Sequence, residues 1–243
     1  MKSWVLSLIT FLVCFAVVIF TDIPLWVFLI IFAPLLLVAA TYLTVSYSFR
    51  ESLETEPIPQ SGYQSRVEAL IDELPQLRKL GFKHVDQFYL KIIPDTVVFV
   101  FRHTTEPVYF CLYHLGSKKA MDIVSRYGNE FSITTNDKVD AGMVPRPAKS
   151  LLQIFPGVDY KTLFGNHMTA HYFLIGNGLR VHDLPVEEFR HYFMNCFYDQ
   201  AKHIKSYFLW PVLLIFRTLA RRGRQYCRSI LEQYREGSIK LWD

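Results

Sequence analysis

With 243 residues, about fifty of them in two apolar N-terminal runs, the chain has room for one further domain of ordinary size. The 51% hydrophobic fraction is inflated by those runs, and the four cysteines (Cys14, Cys111, Cys196 and Cys227) have no CxxC or other metal spacing, which excludes a zinc ribbon and a disulfide framework. The formal charge of +4 is unevenly placed. From Lys202 onward there are nine Lys/Arg against three Asp/Glu, so the chain before that point is slightly acidic.

Trp4 to Phe20 and Leu25 to Val45 are the two apolar runs, joined by Thr21-Asp22-Ile23-Pro24. At about 1.5 Å per residue each is long enough to reach across most or all of a hydrocarbon core, so residues 1–50 are expected to form a two-helix transmembrane hairpin. A cleaved signal peptide is disfavoured, because no small-x-small site follows the first run and a second run comes at once. Lys2 and Arg50 flank the hairpin while the connection carries only Asp22, which places both termini on the cytoplasmic side of a two-pass protein. Trp4, Trp26, Tyr42 and Tyr47 lie near the run ends, where such rings settle at headgroup level. Neither run contains a charged residue or histidine, so the hairpin reads as an anchor and not as a translocation path.

Residues 51–62, acidic with two prolines, read as a linker. Val67, Leu70, Ile71 and Leu74 recur at helical spacing, Pro75 interrupts them, and Gly81 supplies a stop. Three β-rich runs follow: His84 to Ile93, Thr96 to Phe101 and Val108 to Leu115, separated by turn chemistry short enough to force antiparallel neighbours. Ala120 to Arg126 and Phe131 to Thr135 continue the series around a tight turn at Tyr127-Gly128-Asn129-Glu130. A loop with Pro145 and Pro147 leads to a last strand, Leu151 to Phe155. Asp159 is the expected N-cap of a helix running through His167 and His171 to Leu174, stopped by Gly176-Asn177-Gly178. Pro185 with Glu187-Glu188 opens another helix, expected to reach about Trp210.

The expected fold is therefore a soluble α+β domain over residues 63–200, an antiparallel β-meander of about five or six strands with helices covering one face. Residues 201–243 read as a C-terminal amphipathic basic helix. Its apolar segment Tyr207 to Phe216 is too short to span a bilayer, and arginines follow. Trp210, Arg217, Arg221, Arg222, Arg224 and Arg228 are the candidate contacts to anionic lipid headgroups. A nucleic-acid surface is disfavoured, since a lone arginine cluster of this size is weak support.

His167 and His171 stand at i and i+4 on one helix face and are the candidate metal ligands, with His182, Asp183 or His191 close by in sequence. The intervening residues lack the glutamate that a zincin motif requires. No G-x-S-x-G elbow, P-loop or G-x-G-x-x-G is present. The preferred reading is a membrane-anchored cytoplasmic interaction or scaffold module without catalysis, recruiting another protein. The alternatives are a membrane-surface enzyme, metal-dependent through His167 and His171, and a domain that binds an apolar ligand or lipid on its sheet.

Overall fold

The computed structural model describes residues 26, 30, 33–40, 42–43, 55–59, 61–91, 95–207 and 209–241. The expected hairpin lies largely outside these residues. Those described within its second run (26, 30, 33–40 and 42–43) are helical, with Trp26, Ile30, Leu35 and Leu37 on the surface. Among the described residues no helix is long and apolar enough to cross a membrane.

Seven strands form one sheet in chain order: β1 (Thr55–Glu56), β2 (Phe82–Leu90), β3 (Thr96–His103), β4 (Tyr109–Leu115), β5 (Lys118–Arg126), β6 (Ser132–Asn136) and β7 (Ser150–Ile154). Every neighbouring pair is antiparallel except β6 and β7, which are parallel. Short connections make the antiparallel pairs. Between β4 and β5, Leu115 faces Lys118 across two residues, and Gly116 takes the positive φ (59°) that such a turn demands. The last pair departs from the expected meander because residues 137–149 form a crossover of about a dozen residues, enough to carry the chain back before it re-enters the sheet. The strand β1, inside the expected linker, is a two-residue pairing of Thr55 and Glu56 with Leu90 and Tyr89.

Helices cover both faces of the sheet, where one was expected. On the first face Val97, Phe99, Phe101, Phe110 and Ile123 pack on α1 (Gln64–Ile71), α2 (Leu74–Lys79) and α3 (Tyr160–Gly176) through Leu70, Leu77 and Leu163. On the second, Phe88, Val98, Val100, Tyr109 and Cys111 pack on Leu184 and on Phe189 and Phe193 of α4 (Val186–Lys205). The unbroken apolar run of β3 follows from this: a strand buried on both sides has no solvent-facing register to keep polar.

The tail is not the single amphipathic helix expected of it. It divides into α5 (Trp210–Leu219), a 3-10 turn (Arg222–Tyr226) and α6 (Ile230–Arg235). Pro211 starts α5, because a proline in the first turn forgoes only an N–H that has no helical partner. Arg221 adopts a left-handed conformation (φ 49°) that ends it. Ser229 and Glu232 then form a reciprocal capping box that opens α6. Ile230 and Leu241 are buried with Leu151, Ala170 and Leu174, so the end of the chain belongs to the core.

Candidate functional site

Asp159 caps α3 as expected, its carboxylate accepting from Thr162 N–H at 2.7 Å. The buried stripe of that helix is Leu163, His167, Ala170, His171 and Leu174, which turns both histidines toward the sheet. There they are met by hydroxyls. His167 Nε2 is 2.8 Å from Ser125 Oγ, and its Nδ1 is 2.8 Å from Thr135 Oγ1. His171 Nδ1 is 2.7 Å from Tyr127 Oη. Burial, with the neighbouring His171 ring adding to it, pushes the His167 pKa down to about 3, so the ring is neutral. Gln153 extends the network, donating to Thr135 Oγ1 at 2.7 Å and accepting from Ile230 N–H at 3.0 Å. Both nitrogens of His167 are occupied, and among the described residues no group of three or more His, Cys, Asp or Glu could hold a metal ion. The pair is the polar centre of the α3–sheet contact.

The tail residues fall into two sets. Trp210 is buried with Ile204 and Leu214, its ring centroid 5.2 Å from that of Tyr42. Arg217 donates to the Met143 carbonyl at 2.8 Å and the Gly142 carbonyl at 3.2 Å. Arg228 pairs with Glu236. Trp210 and Arg217 are therefore engaged within the domain, while Arg228 stays exposed in a surface pair. Arg221, Arg222 and Arg224 are exposed, with Arg222 above the Phe216 ring. The outward side of α5 carries Leu209, Val212, Phe216 and Leu219 at helical spacing, Leu219 being 78% exposed.

A second constellation escaped the sequence reading. The α4 helix is clamped across the sheet by an Arg190–Asp86 ion pair, and the segment that leads into it by Tyr109 Oη donating to the Leu184 carbonyl at 2.7 Å. Beneath it runs a groove of about 970 Å³. Its floor is β5 and β6, one wall is the segment Arg146–Ser150, and the other is α4 with Phe189, Phe193 and Phe197. Asp122 and Arg146 both reach into it. Asp122 accepts from Tyr113 Oη at 2.9 Å through one oxygen, while its Oδ1 is shut off from solvent with no partner. Arg146 makes two long contacts (3.4 Å) to the hydroxyls of Thr134 and Ser150, and its Nε is likewise buried and unpartnered. Of the three buried side-chain atoms without a partner among the described residues, these two line the same groove. Burial pushes the Asp122 pKa up to about 7, against the Tyr113 hydroxyl, the Arg146 charge and the Cys111 thiol, which favour the carboxylate. Burial also lowers the Arg146 pKa, with Asp122 opposing. The two groups are near enough to act on one another, yet they do not close an ion pair.

By contrast, the cluster at the β2–β3 end is satisfied within itself. Asp95 accepts from Tyr63 and Tyr89 and pairs with Arg66 at 3.2 Å. It ties α1 to the sheet.

The signal for Asp122 was present in the chain: the alternation of Met121, Ile123 and Ser125 puts it with Val124 and Arg126 on the other side of β5. Arg146 lies between two prolines in an irregular segment, where no periodicity assigns it a face. No protein-family model matches this chain, and no curated protein and no solved structure matches it either.

Proposed function

We propose that the protein is a membrane-anchored interaction module whose α+β domain is held against an anionic leaflet at two points. The N-terminal hairpin is one and the outward side of α5 is the other. The observation that carries this reading is the apolar stripe Leu209, Val212, Phe216 and Leu219, ending beside the exposed Arg221, Arg222 and Arg224. A helix that buries Trp210 and Leu214 on its domain side and leaves a second apolar stripe outside has the division of an interfacial helix. The Tyr42–Trp210 contact supports the placement, because Tyr42 lies near the end of the second apolar run, at the expected headgroup level. Three arginines near anionic lipid contribute about 3 kcal/mol at low salt. With the chain already fixed at that surface, the second contact is intramolecular and needs little intrinsic affinity. The domain so oriented recruits a protein partner, and the occupied ring nitrogens of His167 favour this over a metal-dependent enzyme.

Among the described residues the apolar clusters draw on residues from Ile58 onward, so a fragment comprising residues 51–243 keeps those members and loses only the Tyr42 ring against Trp210. That fragment is expected to co-sediment with vesicles containing phosphatidylserine and to be released by high salt. Arg221→Glu/Arg222→Glu and Phe216→Ser/Leu219→Ser should each abolish sedimentation without changing the melting temperature. A fragment that stays in the supernatant at low salt would contradict the second attachment.

A further inference from the structure

We propose that the groove between α4 and the sheet binds a small monoanionic carboxylic acid with an apolar body, its carboxylate held by Arg146 and Asp122. The inference does not rest on the second attachment at α5; it starts from two polar atoms that the fold leaves unanswered.

A half-buried guanidinium whose Nε is shut off from solvent without a partner is costly, and so is a half-buried carboxyl with one oxygen shut off and unsatisfied. Folded proteins leave few such atoms, and two in one groove describe a site whose hydrogen bonds are completed by something else. A carboxylate answers both. Its charge meets Arg146, whose Nε and terminal nitrogens present the fork that takes two oxygens. Asp122 in its acid form has a proton to give on Oδ1, while Oδ2 stays with the Tyr113 hydroxyl. The charge count selects the ligand class: one guanidinium beside one carboxyl that desolvation inclines toward its acid form accommodates a single negative charge. A phosphate dianion would bring a second charge against Asp122. The rest of the ligand follows from the lining around that pair, where Val124, Pro147, Ala148, Tyr192 and Phe197 offer apolar surface within a volume typical of small-molecule sites.

The test uses the full chain in phosphatidylcholine nanodiscs, which keep the protein in a bilayer whether or not α5 docks. 4-Phenylbutyrate and octanoate are titrated calorimetrically near neutral pH, with empty nanodiscs subtracted, beside 4-phenylbutanol, octanol and inorganic phosphate. Both acids are expected to bind saturably at one site. The alcohols and phosphate should bind about tenfold more weakly or worse, because the alcohols lack the charge and phosphate lacks the apolar body. Arg146→Gln should weaken the acids about tenfold or more, and Asp122→Asn, which keeps a donor without a charge, should preserve or tighten binding. Melting curves for both variants separate loss of the site from loss of the fold, and retained binding in Asp122→Asn guards against misreading Arg146→Gln. Equal affinity for acid and alcohol, full affinity in a folded Arg146→Gln, or no saturable binding of either acid would overturn the proposal.

Discussion

Replacing His167 by Ala would strand the Ser125 hydroxyl inside the domain, leave the Thr135 hydroxyl with Gln153 alone, and open a cavity beneath α3. The orphaned Ser125 hydroxyl costs about 1–3 kcal/mol and the lost ring adds packing, so a destabilisation on the order of 3 kcal/mol is expected from urea unfolding. The metal content of the purified protein should be the same before and after. The pH dependence carries the same residue's signature. Its folded pKa of about 3 lies below the ordinary 6.5, so the unfolded chain binds the extra proton between those values and stability falls as the medium is acidified through them. Asp122 acts in the opposite sense. Its folded pKa of about 7 lies above the ordinary 3.8, the folded state holds the proton, and stability declines as pH rises from about 4 to about 7. Melting temperatures across pH 4–8 should show the alkaline decline reduced in Asp122→Asn. An unchanged profile would mean that the carboxyl is not desolvated. The sequence showed that the two histidines share a helix face, but not what meets them there. That depended on the polar Ser125 and Thr135 of two strands far away in the chain coming to lie opposite that face.

At the scale of elements, the tail is locked on by a crossing of two turns. The 3-10 turn Val139–Gly142 and the one at Arg222–Tyr226 touch through Gly142 and Gly223. A Cβ on Gly142 would lie 2.6 Å from Tyr226 Cδ2 and 2.9 Å from Gly223 Cα, and one on Gly223 would strike the Val139 carbonyl oxygen. Neither obstacle is only the yielding end of a flexible side chain. Gly223→Ala should therefore loosen residues 217–226 and raise their hydrogen exchange while the strands keep theirs. Uniform exchange would show that the crossing is incidental. The strands from β2 to β7 were legible because β-branched and aromatic runs alternate with turn residues, as at Thr96 to Phe101 and the Asn129-Glu130 turn. The division of the tail was not. Pro211 and Ser229 are signals of helix starts, yet the hydrophobicity of Tyr207 to Phe216 and the arginines after it suggested one continuous amphipathic element. Sequence shows the charge of Arg217 and Arg228, and not the carbonyls and the carboxylate that they meet in the fold.

At the scale of the whole molecule, the sheet is a two-sided partition. One face is closed by α3 and its histidine network, the other is spanned by α4 over an open groove, and α5 leaves the domain with an apolar stripe outward. In the proposed mount, a hairpin and α5 at one surface would fix how the groove and the rest of the domain are presented. The most direct measurement is the depth of residue 216 in the full chain. A nitroxide on Phe216→Cys, in a cysteine-free background and in bilayers containing phosphatidylserine, should relax strongly with oxygen and weakly with a water-soluble nickel chelate. The same label at the exposed Tyr198 of α4 should do the reverse. A residue 216 label as accessible to the chelate as that at 198 would contradict the two-point mount.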